Sequence, residues 1–283
     1  MCWITQLGHP YGVAKTDIGK KEAALYGYTL DIYDMSDISA EISAIEDCTA
    51  KKYDVIILTP YDKTALNSAM QKARDAGVFV ISEGADLDEE GLSIVNTQIG
   101  SDGTAEGTSA GQLICQALPD GGNWVMIEGA TGHPLVPLRG GVAEQWVQDH
   151  CPSAVLLDHQ SGDWDSAKSR TVMENFLTAY PDQIDLVYCH DGNECMGAEQ
   201  AINDAGIPTG QIKIIGINGN KDEYDAIKEG RWYGTILNDA SWIGINAVQR
   251  SRDLVERRPI LSAYTSPADK ITKDNVDQYT PWW

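Results

Sequence analysis

The chain has 283 residues, enough for one large α/β domain or two of ordinary size. Its 42 acidic against 21 basic residues give a formal charge of −21, which points to a solvated acidic surface and away from nucleic-acid binding, where phosphate neutralisation needs clustered Lys and Arg. Hydrophobic residues make up 42%, and no apolar run approaches the ~18 residues of a membrane-spanning helix.

In chain order, the first strand reads Cys2–Thr5, followed by a loop over Gln6–Tyr11 and a helix from about Gly12 to Tyr26. Because the sequence opens in a strand, any export segment is expected to have been removed or never to have been present. A strand at Thr29–Tyr33 and a helix from about Ser39 to Lys52 lead to the strand Val55–Leu58, which stops on Thr59. Leu66, Ala69, Met70 and Ala73 then recur on one helical face, and Gly77 is a stop signal. The strand Val78–Ile81 stops on Ser82 and Glu83, and a polar loop through Asp86–Gly91 leads to a strand near Ile94–Ile99.

A second series with the same strand–helix rhythm starts after Ser101–Gly103. Trp124–Ile127 runs into the loop holding His133, and a further strand lies near Ala154. The helix from about Asp165 to Tyr180 carries Val172, Met173, Phe176, Leu177 and Tyr180 on one face. Leu186–Cys189 runs into His190 and Asp191, Ile214–Ile217 stops on Asn218, and Thr235–Leu237 stops on Asn238. Continuous apolar strands alternating with helices predict parallel sheets covered on both faces, with ligands beyond the carboxyl ends of the strands.

Several motifs imitate chemistry without its context. Gly107–Gly111 matches the GxSxG pattern, but Ser109 falls inside a predicted helix rather than on a strand-to-helix elbow. Asp86, Asp88, Glu90 and Gly91 resemble the start of a calcium loop whose twelfth position, Thr97, should be Glu. Cys189, His190 and Cys195 are close in sequence, which does not supply nucleophile–base geometry. Six dispersed cysteines make no CxxC and no disulfide scaffold, and Cys48 and Cys115 read as small core residues. Whether any of them pair is left open. Neither GxGxxG nor a P-loop occurs, so no cofactor and no metal are expected.

The remaining candidates are binding groups at strand ends: His9, Tyr11, Thr59, Glu83, His133, Arg139, Trp164, Asp191, Asn218 and Asn238. Asn, Asp and Arg offer the directional donors and acceptors that a polyhydroxylated ligand needs, and an aromatic plate such as Trp164 covers a C–H face. Any one of them alone could be a turn or cap residue, as Asn218 within Gly216–Gly219 illustrates.

At these residues the chain resembles the periplasmic sugar-binding proteins of ABC importers, in the branch of the ribose and glucose/galactose binders. Gly132-His133-Pro134 followed by Arg139 resembles a GHPxxxxR segment, and Gly162–Asp165 resembles the loop carrying the stacking tryptophan. Tyr233–Ala240 is nearly the GTxLNDA stretch whose Asn contacts sugar, and Ile271–Val276 is typical of the tails of exported sugar binders. The chain departs from the glucose/galactose pattern at His9, Glu83 and Leu135. Asp191 and Asn218 are exchanged in type, and the calcium loop has no counterpart at Pro119–Asn123.

The resemblance implies an α/β fold of the type I periplasmic-binding-protein kind, two Rossmann-like lobes with parallel sheets joined by a three-crossing hinge. The lobes are expected at 1–101 with 240–264, and at 102–238 with 266–283. It implies a monomer outside the cytoplasm that captures a monosaccharide or related polyol between the lobes and delivers it to an ABC transporter permease, without covalent chemistry. One alternative is the effector domain of a lac-repressor-type regulator, which should begin with a basic helix-turn-helix that this chain lacks. A membrane sensor domain is another. A carbohydrate-active enzyme would have to use Glu83 and Asp191 as its carboxylate pair.

Overall fold

The computed structural model describes residues 1–84 and 87–281. In chain order the elements begin β1 (Cys2–Thr5), α1 (Pro10–Leu25), β2 (Asp31–Asp34), α2 (Ile38–Ala50), β3 (Val55–Leu58) and α3 (Asn67–Asp75). They continue with β4 (Phe79–Glu83), α4 (Glu89–Ile94), β5 (Thr97–Ser101) and α5 (Gly103–Ala117). Next come β6 (Gly122–Glu128), a π-helical turn (Pro137–Gly141), α6 (Val142–His150), β7 (Ala154–Ser161) and α7 (Ser166–Ala179). The series closes with β8 (Leu186–Cys189), α8 (Gly192–Asp204), β9 (Lys213–Asn218), α9 (Lys221–Glu229), β10 (Gly234–Leu237), α10 (Ala240–Val255), β11 (Ala263–Ser266) and β12 (Lys270–Thr272).

Two compact units result: Met1–Ser101 with Asp239–Ser266, and Asp102–Asn238 with the tail from Pro267. The first holds a sheet in the order β11-β5-β4-β3-β1-β2, parallel throughout. The second holds β12-β10-β9-β8-β6-β7, parallel except for the antiparallel β10–β12 edge.

The unbroken apolar strands are explained by burial on both faces. In β3, Ile56 and Leu58 pack with Cys2, Ile4, Ile45 and Met70, while Val55 and Ile57 pack with Trp3, Ile81, Ile243 and Val248 on the other face. In the second unit, Val187 and Cys189 of β8 join Val125, Ile127 and Phe176, while Leu186 and Tyr188 join Trp124, Met126 and Ile215. Alternate residues of a strand point to opposite faces, so each strand needs apolar side chains at every position.

The cysteines correct the sequence reading. All six pair, as Cys2–Cys48, Cys115–Cys151 and Cys189–Cys195. Cys48 is in the core, as expected, but as half of a bridge tying α2 to β1. Sequence separations of 46, 36 and 6 residues carry no pairing signal, because only the fold sets the Cα distances. The Cys189–His190–Cys195 thiol–base idea falls with the third bridge. Ser109 lies inside α5 and donates to the Ala268 carbonyl at 2.8 Å, a packing role. In the calcium-like stretch, Asp86 lies outside the described residues, and Asp88 caps α4 by accepting from the Gly91 N–H at 2.8 Å. The strand expected near Ile94–Ile99 starts at Thr97, because α4 runs to Ile94.

Candidate functional site

A parallel sheet puts all its carboxyl ends at one edge, and in the first unit that edge carries Thr5, Thr59 and Glu83 on neighbouring strands. Helix α1 brings the fourth member, Lys15, which the sequence reading missed. Its ammonium forms a buried ion pair with Glu83 and donates to Thr59 Oγ1 at 3.2 Å. The Thr59 hydroxyl donates to Glu83 Oε2 at 2.6 Å and lies 3.0 Å from the Thr5 hydroxyl. The Lys15 ammonium also lies 5.7 Å from the Trp3 ring centroid and 5.6 Å from that of Tyr11, within range of a cation–π attraction. Gly244 of α10 lets α10 approach the Lys15 backbone: a Cβ there would sit 2.5 Å from the Lys15 carbonyl.

His9 starts α1 as its N-cap, its Nδ1 accepting from the Tyr11 N–H at 3.2 Å. Pro10 at the first helical position has no N–H to leave unsatisfied. His9 and Tyr11 therefore stand at the helix start, following the carboxyl end of β1.

In the second unit, β6, β7, β8, β9 and β10 lead into His133, Trp164, Asp191, Asn218 and Asn238 respectively. Asp191 caps α8, accepting from the Asn193 N–H at 2.7 Å, and its other oxygen accepts from Asn218 Nδ2 at 2.6 Å. Asn218, at φ 130°, accepts in turn from Asn238 Nδ2 at 3.4 Å. The three residues form one hydrogen-bonded row across adjacent strand ends.

Arg139 comes from the π-helical turn and is 3% exposed. Its Nε donates to Glu106 Oε2 at 2.7 Å and its Nη1 to the His190 carbonyl at 2.8 Å. Burial opposes the guanidinium charge, but the charge and hydrogen bond of Glu106, with Tyr188 and Asp191, together outweigh it and raise its pKa. The guanidinium carbon lies 5.8 Å from the Trp164 ring centroid, and His133 meets the same ring edge-on at 5.5 Å. Burial, then the Arg139 charge, lowers the His133 pKa to about 4, so at neutral pH its ring is an uncharged donor and acceptor. His190 is buried, and burial followed by the Arg139 charge holds it neutral as well.

Trp164 has room because residue 129 is glycine, where a Cβ would fall 2.0 Å from the indole. Sequence reasoning missed the buried carboxylates behind the site, Glu106, Glu194 and Glu223. Each sits in a helix at a position that reads as solvent-facing until the neighbouring elements are placed. The ten candidates divide four to the first unit and six to the second; all but Arg139, which comes from the π-helical turn, lie at strand ends or in the segments that follow them. Glu83 and Asp191, the carboxylates a hydrolase would need, belong to different units. Among the described residues no group of three or more His, Cys, Asp or Glu side chains could hold a metal ion.

The chain belongs to the periplasmic binding protein domain family, whose match covers residues 4–258. It is 29% identical over 269 residues to the ribose import binding protein of Bacillus subtilis (strain 168), covering 93% of this chain and 84% of that one. It is 30% identical over 235 residues to the galactofuranose-binding protein of Escherichia coli (strain K12), covering 80% of this chain and 73% of that one. Among solved structures, an ABC transporter periplasmic solute binding protein from Actinobacillus succinogenes 130z with bound D-allose superimposes with a TM-score of 0.92 at 23% identity, covering 98% of this chain and 99% of that one. The resemblance read from the four sequence stretches is borne out, as is the two-sheet α/β fold it implied.

Proposed function

We propose that this protein is an extracytoplasmic solute-binding protein that captures a monosaccharide or related polyol and delivers it to an ABC transporter permease. The observation that carries this reading is the row Asp191–Asn218–Asn238 together with the Trp164 ring, all at or after the carboxyl ends of the parallel strands of the second unit. Carboxylate and amide groups can pair with vicinal hydroxyls, while the indole covers the C–H face of a sugar ring. Arg139 adds a guanidinium whose Nε and Nη1 are anchored by Glu106 and the His190 carbonyl. On the first unit, His9, Tyr11, Thr59 and Glu83 offer groups of the same kinds at the strand ends.

The charges favour hydroxyls over ammonium or carboxylate groups on the ligand. Lys15 already matches Glu83, and Glu106 already matches Arg139. A charged ligand group would have to compete with a buried, hydrogen-bonded partner, and an unmatched buried charge costs several kcal/mol. The same matching speaks against catalysis, since Glu83 is committed to Lys15 and Thr59 rather than poised as an acid or base.

The test is a thermal-shift screen over pentoses, hexoses, amino sugars and polyols, with the recovered sugar analysed by NMR. A ligand at ~100 times its Kd should add about 2.7 kcal/mol, a shift of several degrees. Conversion of more than one equivalent of sugar would refute a binding-only protein.

A further inference from the structure

The Trp164 ring is held through its backbone. Its N–H donates to Glu194 Oε1 at 3.0 Å, and its carbonyl accepts from Asn193 Nδ2 at 3.0 Å. Asn193 and Glu194 are consecutive residues in the first turn of α8, the helix capped by Asp191. Asp163 and Trp164 both lie in the left-handed region, at φ 59° and 58°, where non-glycine residues stay only if their surroundings hold them.

We infer that Asn193 and Glu194 are positioning residues, a two-point clamp that fixes the angle of the Trp164 indole and couples it to the Asp191 end of the same helix. Glu194 is fully buried, and its Oε2 has no partner among the described residues. Burial, then the nearby Asp191 charge, raises its pKa well above the ordinary carboxylate value. Glutamine keeps a planar acceptor for the Trp164 N–H, whereas methionine fills the space without the acceptor. The inference rests on the reading that Trp164 contacts the ligand.

The experiment compares Glu194→Gln, Glu194→Met and Asn193→Ala, each alone and combined with Trp164→Ala. Calorimetry uses D-ribose, D-allose, D-galactose and xylitol as probes, and hydrogen exchange at the Trp164 backbone amide is followed by NMR. Glu194→Gln should keep binding within about twofold and the amide protected. Glu194→Met and Asn193→Ala should each weaken binding about tenfold, the scale of a disturbed aromatic anchor. Glu194→Met should also unprotect the amide. In the Trp164→Ala background both losses should vanish, which a general structural defect would not do.

Equal losses with and without Trp164, full affinity in both clamp variants, or a Glu194→Gln defect as large as that of Glu194→Met would overturn the inference. If Glu194→Met does not fold, Asn193→Ala decides through the same cycle. A Trp164→Ala protein that binds like wild type, or a wild-type protein that binds no probe, contradicts the ligand-binding reading instead. Amide protection that is the same in Glu194→Met as in wild type removes the clamp whichever probe binds.

Discussion

Lys15 and Glu83 form a buried ion pair, 3% and 2% exposed, that joins the second turn of α1 to the end of β4. Removing one partner strands the other charge, which costs about 3–5 kcal/mol at a buried site, whereas replacing both with apolar groups is often close to neutral. Lys15→Met should therefore destabilise the protein by roughly that amount, and adding Glu83→Leu should recover most of the loss. Denaturant unfolding measures both. A Lys15→Met loss below about 1 kcal/mol would place the pair in the weak, solvated class.

Trp164→Ala should weaken sugar binding tenfold or more, on the order of 1–3 kcal/mol for a desolvated aromatic anchor. The ring is half-buried and lies outside the core clusters, so the unliganded variant should keep its unfolding transition. A collapse of stability with unchanged affinity would make Trp164 a packing residue.

The same contrast shows what a sequence can and cannot reveal. Asp191 and Asn238 were legible because apolar strands end just before them, and a strand end in a parallel sheet is already a statement about position, while Trp164 was legible from its loop, Gly162–Asp165. Lys15 was not. It lies within α1 among Lys20, Lys21 and Glu22, and nothing local separates a lysine that turns inward from those that face water. Glu106 and Glu194 were hidden in the same way, because their partners Arg139 and Trp164 lie about 30 residues away in sequence. The disulfides depend on distances that exist only once α2 has packed on β1 and α5 beside α6.

The Cys189–Cys195 bridge closes a short loop around His190, Asp191, Asn193 and Glu194. Replacing both cysteines with alanine should cost about 2 kcal/mol of stability from the chain-entropy relation for so short a loop. It should also weaken ligand binding, since the loop presents Asp191. Alkylation before reduction should label none of the six cysteines. Labelling of Cys189 and Cys195 in the folded protein would remove the bridge from the account.

Stability should depend on pH through buried carboxyls. Burial raises Glu41 and Glu223 from the ordinary 4.5 to about 8, so the folded state holds protons that the unfolded chain releases. Their stabilising contribution is complete below about 4.5 and is lost as pH rises to about 8. His133 acts oppositely: lowered from 6.5 to about 4, it favours the folded state above 6.5 and loses that contribution as pH falls through 4. The melting temperature should therefore decline between pH 6.5 and 8, and Glu41→Gln with Glu223→Gln should flatten that decline. Parallel melting profiles for the wild type and the double variant would contradict the assignment.

Calorimetric titration of the ligand-stripped protein with neutral pentoses, hexoses and polyols, each beside its amino and carboxylate derivatives, tests the central claim most directly. The account predicts saturable binding of one molecule per chain, with the neutral compound preferred over its charged derivatives. Saturable binding confined to the charged derivatives, or none across the set, would contradict it.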